Sequence, residues 1–300
     1  MRSVAITCVI CLFAALYSSA QSGSGIPYPQ PFPDSAALRF LPGIVSSDSM
    51  DFNACFSPDG QSYYFSRLIN KQTKIYVTHH EGANWSAPMI VPFLDSKYSE
   101  ADPAFSPDGT LYFISDRPLS ASDTLNDFNI WFVKPLPGGS WSAPEEMKII
   151  NTDSSEYYIS FSKNGNLYFA SSRKGGFGEE DIYVSKLVNE KYTEPVNLGP
   201  TVNTSKAEFD PGISADEDVI IFASSNREDG FGGADLYYSK KEGEKNWLKA
   251  AHLGNRFNTK ARDFCPYFSP DGKYFFFSSE RDVKWIGMEW LKREMGMLAK

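Results

Sequence analysis

The sequence has few of the side chains that most often bind metals or act as nucleophiles. Its 300 residues include three histidines, His79, His80 and His252, and four cysteines. His79 and His80 end a predicted strand, where adjacent side chains point to opposite faces. Structural zinc sites use four Cys or His ligands, and neither G-x-S-x-G nor H-E-x-x-H occurs. The sequence therefore predicts no zinc site and no serine-hydrolase elbow.

Positive charge is also scarce. Lysine and arginine together number 29, against 37 aspartates and glutamates, and the net charge is −8. Sequence-independent binding to nucleic acids needs an excess of Lys and Arg that displaces counterions from phosphates. We therefore expect no nucleic-acid partner.

Long hydrophobic runs are absent after residue 16. Residues 4–16 are apolar, with Arg2 before them and Ser18, Ser19 and Ala20 after them. This pattern is typical of a secretory signal peptide, which we place at residues 1–20. An uncleaved anchor is the alternative, but the stretch is shorter than the roughly 20 residues that span a bilayer. The sequence predicts a periplasmic or secreted protein whose mature chain has no integral membrane span.

Composition divides the mature chain into three parts. Residues 21–35 are rich in Gly, Ser and Pro without an apolar period, which predicts an extended linker. Residues 36–287 carry an internal repeat and form one domain. Residues 288–300 form a C-terminal tail, for which we predict a short amphipathic helix against the end of that domain.

The internal repeat has a period of roughly 50 residues. The segment FSPDG begins at Phe56, recurs at Phe105 and Phe268, and is replaced by FSKNG at Phe161 and ISADED at Ile213. An aromatic and β-branched run follows each copy, so each turn joins two strands of a hairpin. A third and a fourth strand follow in four of the five copies. Four short strands per repeat are typical of a β-propeller blade.

Ring closure is predicted from the spacing of apolar and acidic residues. Leu41 lies ten residues before Asp51, as Leu198 lies ten residues before Glu208. Residues 36–45 therefore read as a fourth strand without a blade, and the last repeat lacks that strand. We predict an all-β propeller of five four-stranded blades, in which the N-terminal strand completes the last blade.

The repeats resemble the WD40-like (PD40) repeat of TolB-type β-propellers. The resemblance is carried by segments such as FSPDGTLYFISDR and FSKNGNLYFASSRKGGFGEEDIYVSK, and it covers residues 36–287. Because propellers of that family often have six blades, a six-bladed ring is the alternative. The resemblance implies a periplasmic protein that acts as a protein-interaction or ligand-binding module in the cell envelope.

An acidic residue opens the first strand of every repeat, and an arginine closes the second strand. The hairpin brings the two together, which predicts a cross-strand ion pair that fixes the register. The alternative is a ring of five carboxylates at one mouth of the channel, suited to Ca²⁺ or a cationic partner. One arginine for each acid favours the ion pairs. The acids are Asp51, Glu100, Glu156, Glu208 and Asp263, and the arginines are Arg67, Arg117, Arg173, Arg227 and Arg281.

The connections between second and third strands differ from repeat to repeat. RKGGFGEEDIY and REDGFGGADLY fill the same position in the third and fourth repeats. No helix follows to receive a phosphate, and we expect the glycines to supply positive φ. Variable loops on a rigid ring are expected to carry specificity. The candidate contact residues are Asp123, Asp127, Phe177, Glu179 and Phe231.

Cys55 and Cys265 are the cysteines outside the predicted signal peptide. Both fall on predicted innermost strands of blades that meet where the ring closes. Export permits a disulfide bond between them, and two buried thiols are the alternative.

The sequence predicts no catalytic residue and no cofactor, with Ca²⁺ as the one candidate ion. We expect a non-catalytic binding module whose partner is an envelope protein or peptide, or else a small ligand or glycan. A glycoside hydrolase that uses carboxylates at the channel is the alternative. Repetition counts against it, because the two carboxyl groups of such an enzyme need different surroundings.

Overall fold

The computed structural model describes residues 25–243 and 246–298, so the predicted signal peptide lies outside the described residues. Five antiparallel sheets follow one another along the chain, and each is one blade of a propeller. Strand β1 (Leu38–Arg39) comes first, and the first blade follows with β2 (Met50–Phe56), β3 (Ser62–Ile69), β4 (Gln72–Glu81), β5 (Asn84–Trp85) and β6 (Met89–Ile90). The second blade has β7 (Glu100–Phe105), β8 (Leu111–Ser115), β9 (Asn129–Val133) and β10 (Glu145–Glu146), and the third has β11 (Glu156–Phe161), β12 (Leu167–Ser171), β13 (Asp181–Ser185), β14 (Leu187–Val188), β15 (Lys191–Tyr192) and β16 (Val196–Asn197). The fourth blade has β17 (Ala207–Ile213), β18 (Val219–Ser225), β19 (Asp235–Glu242), β20 (Asn246–Trp247) and β21 (Ala251–His252), and the fifth has β22 (Asp263–Phe268), β23 (Tyr274–Ser279) and β24 (Asp282–Gly287).

The first strands of the blades, β2, β7, β11, β17 and β22, contact one another around the central channel. The N-terminal strand β1 pairs with β24, with Leu38 opposite Trp285 and Arg39 opposite Lys284. The last blade thus takes its fourth strand from the start of the domain. The predicted five-bladed propeller and its closure are confirmed, and the six-bladed alternative is wrong.

The apolar core lies between neighbouring blades. The second strands β8 and β12 are buried at every residue, because the preceding blade covers one face of a blade and the following blade covers the other. A repeated phenylalanine of the second strand, such as Phe113 or Phe169, is fully buried and lies opposite an aromatic residue of the third strand, Trp131 or Tyr183. Burial of each such ring stabilises the fold by about 1.5–3 kcal/mol.

The FSPDG turns have one geometry. In the first copy, the Ser57 N–H donates to the Ser62 carbonyl at 2.9 Å and the Gly60 N–H to the Ser57 carbonyl at 2.8 Å. Gly60 has a φ of 70°, which favours glycine. In the ISADED copy Glu217 takes this position at a φ of 58°, so the turn tolerates the loss of its glycine.

Both ends of the described chain pack on the fifth blade. Residues 25–32, within the predicted linker, lie over the junction of the first and last blades. There the Tyr28 ring stacks on Trp285 with centroids 5.7 Å apart, and the Trp85 Nε1–H donates to the Pro27 carbonyl at 3.2 Å. The tail begins with helix α1 (Met288–Glu294), which buries Met288 and Leu291. Within the described residues, no helix is long and apolar enough to cross a membrane.

Candidate functional site

Four of the five predicted acid–arginine pairs form. The carboxylates are 0% exposed and the arginine side chains at most 16% exposed. The pairs are Asp51–Arg67 at 2.5 Å, Glu156–Arg173 at 3.2 Å, Glu208–Arg227 at 2.9 Å and the close pair Glu100–Arg117.

Three of these arginines, Arg67, Arg173 and Arg227, also donate to a backbone carbonyl in the segment that precedes their own blade. Arg173 is representative: its Cζ lies 5.1 Å from the centroid of the Phe169 ring and 4.8 Å from that of Tyr183. Its Nη2 donates to the Ile150 carbonyl at 2.8 Å, in the segment that leads from the second blade. Ion pair, stacked rings and carbonyl together fix the guanidinium.

The carboxylate of Glu156 has several hydrogen-bond partners besides its arginine. Glu156 accepts hydrogen bonds from the Thr152 N–H and hydroxyl, from the Ser171 hydroxyl and from Arg173. Burial raises the pKa of Glu156, while the hydrogen bonds from Thr152 and Ser171 act in the opposite direction. The Glu156 carboxylate is therefore used to hold its own blade to the segment that precedes it.

The fifth pair, Asp263 with Arg281, does not form. Asp263 instead accepts hydrogen bonds from the Thr259 N–H at 2.6 Å and from the Thr259 hydroxyl at 3.0 Å. Arg281 is exposed and lies in the two-residue turn between β23 and β24, where Glu280 and Arg281 have φ values of 52° and 72°. This tight turn directs the arginine outward, and the prediction for the last repeat is corrected accordingly.

A second set of channel residues lies two positions after each acid. Every first strand has a register shift there, and the residue at the shift has a positive φ between 40° and 64°. All five are at most 8% exposed. Unlike the repeated acids, these residues are nearly all different. We call Asn53, Asp102, Tyr158, Asp210 and Cys265 the bulge layer.

Hydrogen bonds connect the bulge layer from blade to blade. Asn53 Nδ2 donates to Asp102 Oδ1 at 3.4 Å, and the Cys265 N–H donates to Asp210 Oδ2 at 3.2 Å. The Tyr158 hydroxyl reaches across the channel. Left-handed backbone at Tyr158 and Cys265 is unusual for these residue types and is typical of functional positions.

The two carboxyl groups of the layer have different surroundings. Burial and the charge of Asp210 raise the pKa of Asp102 to about 8, with opposing hydrogen bonds from Asn53 and the Tyr158 N–H. Burial raises the pKa of Asp210 only to about 6, because the nearby Arg262 guanidinium favours its ionised form. The two carboxyl groups titrate as a pair, and the Arg262 guanidinium favours the ionised form at Asp210.

We call the end of the channel where the repeated acids open the first strands the acid end. Glu180 and Arg262 lie near Asp210 at this end. Burial and the charge of Asp210 raise the pKa of Glu180 to about 7, and Arg262 acts in the opposite direction. Glu180 ends the glycine loop of the third blade, where its carbonyl accepts the Glu208 N–H at 2.9 Å. Asp210 and Glu180 thus both lie within the electrostatic influence of the Arg262 guanidinium.

The opposite, hairpin end of the channel is apolar. A cavity of about 260 Å³ opens there, and Asn53 and Tyr158 of the bulge layer belong to its lining. Aromatic residues and the prolines of the FSPDG turns form the rest of the wall, including Phe56, Phe105, Phe161, Tyr267 and Phe268. Asp102 and Asp210 are not among the residues that line this cavity.

The candidate contact residues lie on loops of the acid end. Phe177 and Phe231 occupy the same position in adjacent blades and are 50% and 51% exposed, and Glu179 is exposed as well. Asp123 accepts the Leu119 N–H at 2.8 Å and closes its own loop. Burial raises the pKa of Asp127.

The glycines of the third-blade loop have a different role from the predicted one. Of Gly175, Gly176 and Gly178, only Gly175 has a positive φ, at 91°. A Cβ at Gly178 would collide with the Lys206 carbonyl, and one at Gly176 with the Asp181 carboxylate. Close approach of backbone and side chain, rather than φ, requires two of these glycines.

Cysteines and metals complete the description of the channel. Cys55 and Cys265 are buried and unpaired, and burial raises the pKa of both thiols. Over the described ranges, no group of three or more His, Cys, Asp or Glu side chains is arranged to hold a metal ion.

Asp102 and Asp210 were not predicted from the sequence, although a signal for them exists. Each is followed by proline within a first strand, and proline inside a central strand indicates a bulge. A repeat shows itself through residues that recur, whereas these carboxyl groups occupy a position that varies.

No family model matches the chain, and no curated protein matches it. Among solved structures it is similar to a putative TolB from Agrobacterium tumefaciens, with 17% identity over 81% of this chain and 78% of that one and a TM-score of 0.47. It is also similar to an α-L-arabinofuranosidase from Lactobacillus brevis, with 12% identity, coverage of 79% and 90% and a TM-score of 0.52. A third structure, titled glycoside hydrolase, has 9% identity, coverage of 86% and 91% and a TM-score of 0.57. At these identities the likeness shows the β-propeller fold.

The prediction that the chain is not an enzyme is wrong. Propellers that align with most of this chain include an arabinofuranosidase and a glycoside hydrolase. Repetition does not count against a glycoside hydrolase either, because the carboxyl groups of the bulge layer are not repeated in every blade and differ in their surroundings.

Proposed function

We propose that this protein is a carbohydrate-active propeller in which Asp102 and Asp210 cleave a glycosidic bond. The observation that supports the proposal is the unlike environment of two carboxyl groups in one buried layer. Arg262 acts on Asp210, whereas Asn53 and Tyr158 surround Asp102. Glycoside hydrolysis uses two carboxyl groups whose pKa values are set apart in this way.

The charge of Arg262 assigns the roles, because it favours the ionised form of Asp210. Asp102, where burial and the charge of Asp210 favour the protonated form, is the acid that gives its proton to the glycosidic oxygen as the bond from that oxygen to the anomeric carbon breaks. Asp210 is the carboxylate that takes a proton from the attacking water or attacks the anomeric carbon itself. This chemistry needs no cofactor, so EDTA is expected to leave the activity unchanged, whereas a Ca²⁺-dependent site would lose it.

Release of reducing sugars from a panel of plant and bacterial polysaccharides tests the proposal. Asp102→Asn and Asp210→Asn should each lower kcat at least about 100-fold, with circular dichroism and melting temperature showing a folded protein. Glu145→Gln, which changes an exposed carboxylate on the outer strand β10, is the matched control and should retain full activity. Absence of sugar release by the wild type, or full activity in Asp102→Asn, contradicts the proposal.

Binding to an envelope protein or peptide is a second candidate function. It is favoured by Phe177 and Phe231, two half-exposed rings at the same position of adjacent blades. Exposed aromatic residues are enriched at binding sites. Capture of the same envelope protein by the wild type and not by Phe177→Ala/Phe231→Ala would support this role, and equal capture by both would oppose it.

Export is part of the proposal, with the mature protein in the periplasm or secreted. The support is the sequence pattern of residues 1–20. Cell fractionation and N-terminal sequencing test it, with Gln21 expected as the first residue of the mature chain.

A further inference from the structure

Arg262 occupies a repeat position that carries no charge in the other blades. It directly precedes Asp263, the first-strand acid of the fifth blade, and its counterparts are Met50, Ser99, Ser155 and Ala207. The repeated architecture of the blade therefore does not require an arginine here.

Two buried rings hold the guanidinium of Arg262 at the acid end of the channel. Its Cζ lies 4.9 Å from the centroid of the Phe209 ring and 5.3 Å from that of Phe264. These rings are only 5% and 7% exposed, whereas Arg262 itself is exposed. Stacking over rings covers the face of the guanidinium and leaves its in-plane N–H groups uncovered.

The N–H groups of Arg262 have no protein acceptor among residues 25–243 and 246–298. Its side chain donates no hydrogen bond and joins no ion pair there. The arginines of the repeated pairs differ in this respect, since Arg173 uses its donors on Glu156, Ser171 and Ile150. Arg262 is thus positioned by the fold, while its hydrogen-bonding capacity of five donors remains available.

The carboxyl groups near Arg262 place it at the site of the proposed chemistry. Burial raises the pKa of both Asp210 and Glu180, and the charge of Arg262 opposes that rise. The chain carries a net charge of −8, so a bound anion would depend on local positive charge such as that of Arg262. Because the pKa of Glu180 is raised to about 7, that carboxyl is partly neutral at neutral pH and repels a bound anion less than an ordinary glutamate.

We propose that Arg262 binds the carboxylate of an acidic sugar, so that the glycan taken up at the acid end contains uronic acid. The planar guanidinium matches a carboxylate through two parallel hydrogen bonds. The identity of the ligand as a glycan rests on the proposed function, and the anionic contact rests on the geometry of Arg262.

Calorimetric titration with two matched probes tests the inference, namely tetragalacturonate and its fully methyl-esterified form, which has the same sugar chain without charge. The wild type should bind the acidic form at least about tenfold more tightly, and Arg262→Gln should reduce that ratio to below about twofold. Arg262→Lys keeps the charge without the paired donors and should retain an intermediate ratio. Mass spectrometry checks that both probes stay intact during the titration.

Arg256→Gln is the matched control. Arg256 is also stacked, with Cζ 4.7 Å from the Trp290 ring centroid, but it lies beside helix α1 and pairs with Glu294 at 3.6 Å. This variant should retain the wild-type ratio. The inference is overturned if the wild type binds both probes equally or neither of them, or if Arg262→Gln keeps the full ratio.

The two proposals fail separately. Hydrolysis of neutral glycans without discrimination between the probes would leave the proposed function standing and remove the role of Arg262. Discrimination that depends on Arg262, in a protein that hydrolyses no glycan, would leave the acidic-sugar site and remove the catalytic assignment of Asp102 and Asp210.

Discussion

The hydroxyl of Tyr158 donates a hydrogen bond to the Pro266 carbonyl at 2.8 Å, which joins the third blade to the fifth across the channel. Tyr158 is 2% exposed and has a φ of 40°. Because tyrosine rarely adopts this backbone conformation, the surrounding bulge layer has to maintain it. The contact shows how a nearly fivefold ring becomes asymmetric at its centre.

Tyr158→Phe should lower the free energy of unfolding by about 1–3 kcal/mol, since it removes the donor to a buried carbonyl. Urea unfolding followed by fluorescence measures the change. Tyr63→Phe is the control, because the Tyr63 hydroxyl is also buried but has no hydrogen-bond partner. That substitution should not lower stability, because it removes a buried hydroxyl that has no partner. Equal effects of the two substitutions would show that the bond across the channel adds no stability.

Glu156→Gln should destabilise the propeller by about 1–3 kcal/mol, because Arg173 then lies partly buried without its counter-charge. Arg281→Gln is the contrasting change. Arg281 is exposed and makes no ion pair with Asp263 in the described structure, so its removal should have little effect. Chemical unfolding of both variants measures the difference. If Arg281→Gln lost as much stability as Glu156→Gln, Arg281 and Asp263 would have to form an ion pair after all.

The sequence predicts those features that depend on repetition. Hairpins, blade number and closure by the N-terminal strand all follow from turn residues and strand patterns that occur several times. Ion pairs such as Glu156–Arg173 are predicted for the same reason. The pair fails at Arg281 because a tight turn replaces the longer connection present in the third blade.

The candidate site could not be predicted as readily. Asp102 and Asp210 acquire their environment from residues of neighbouring blades, such as Asn53 and Cys265. A strand read in isolation gives no information about that neighbourhood, and the bulge that turns these side chains has only the following proline as a signal. Arg262 becomes noticeable only when the rings beneath it are known.

Gly178→Ala should destabilise the third-blade loop, because the added Cβ would collide with the Lys206 backbone carbonyl. We expect a loss of about 1–3 kcal/mol, as is common for overpacking. Gly233→Ala is the control, since the nearest atom to its Cβ would be 3.9 Å away and its φ is not positive. Melting temperatures of the two variants measure the contrast. Equal melting temperatures would mean that the loop moves away from Lys206 at little cost.

Stability should fall as pH rises from about 5 to 8, and Asp102 should account for a large part of the fall. Its pKa is about 8 in the fold and about 4 in an unfolded chain. Between these values the folded state holds a proton that the unfolded state has released, so the free energy of unfolding decreases with pH. Asp210, whose pKa is raised to about 6, contributes a smaller fall that ends near that pH.

Asp102→Asn removes this titration and should become more stable than the wild type at pH 8, with a smaller difference at pH 5. Urea midpoints at both pH values, with Glu145→Gln as the control, measure the effect. Identical pH dependence in the wild type and Asp102→Asn would mean that Asp102 is ionised in the fold, which would also remove its role as the acid. A more stable Asp102→Asn protein that has lost activity would identify the buried carboxyl as a group kept for chemistry at the expense of stability.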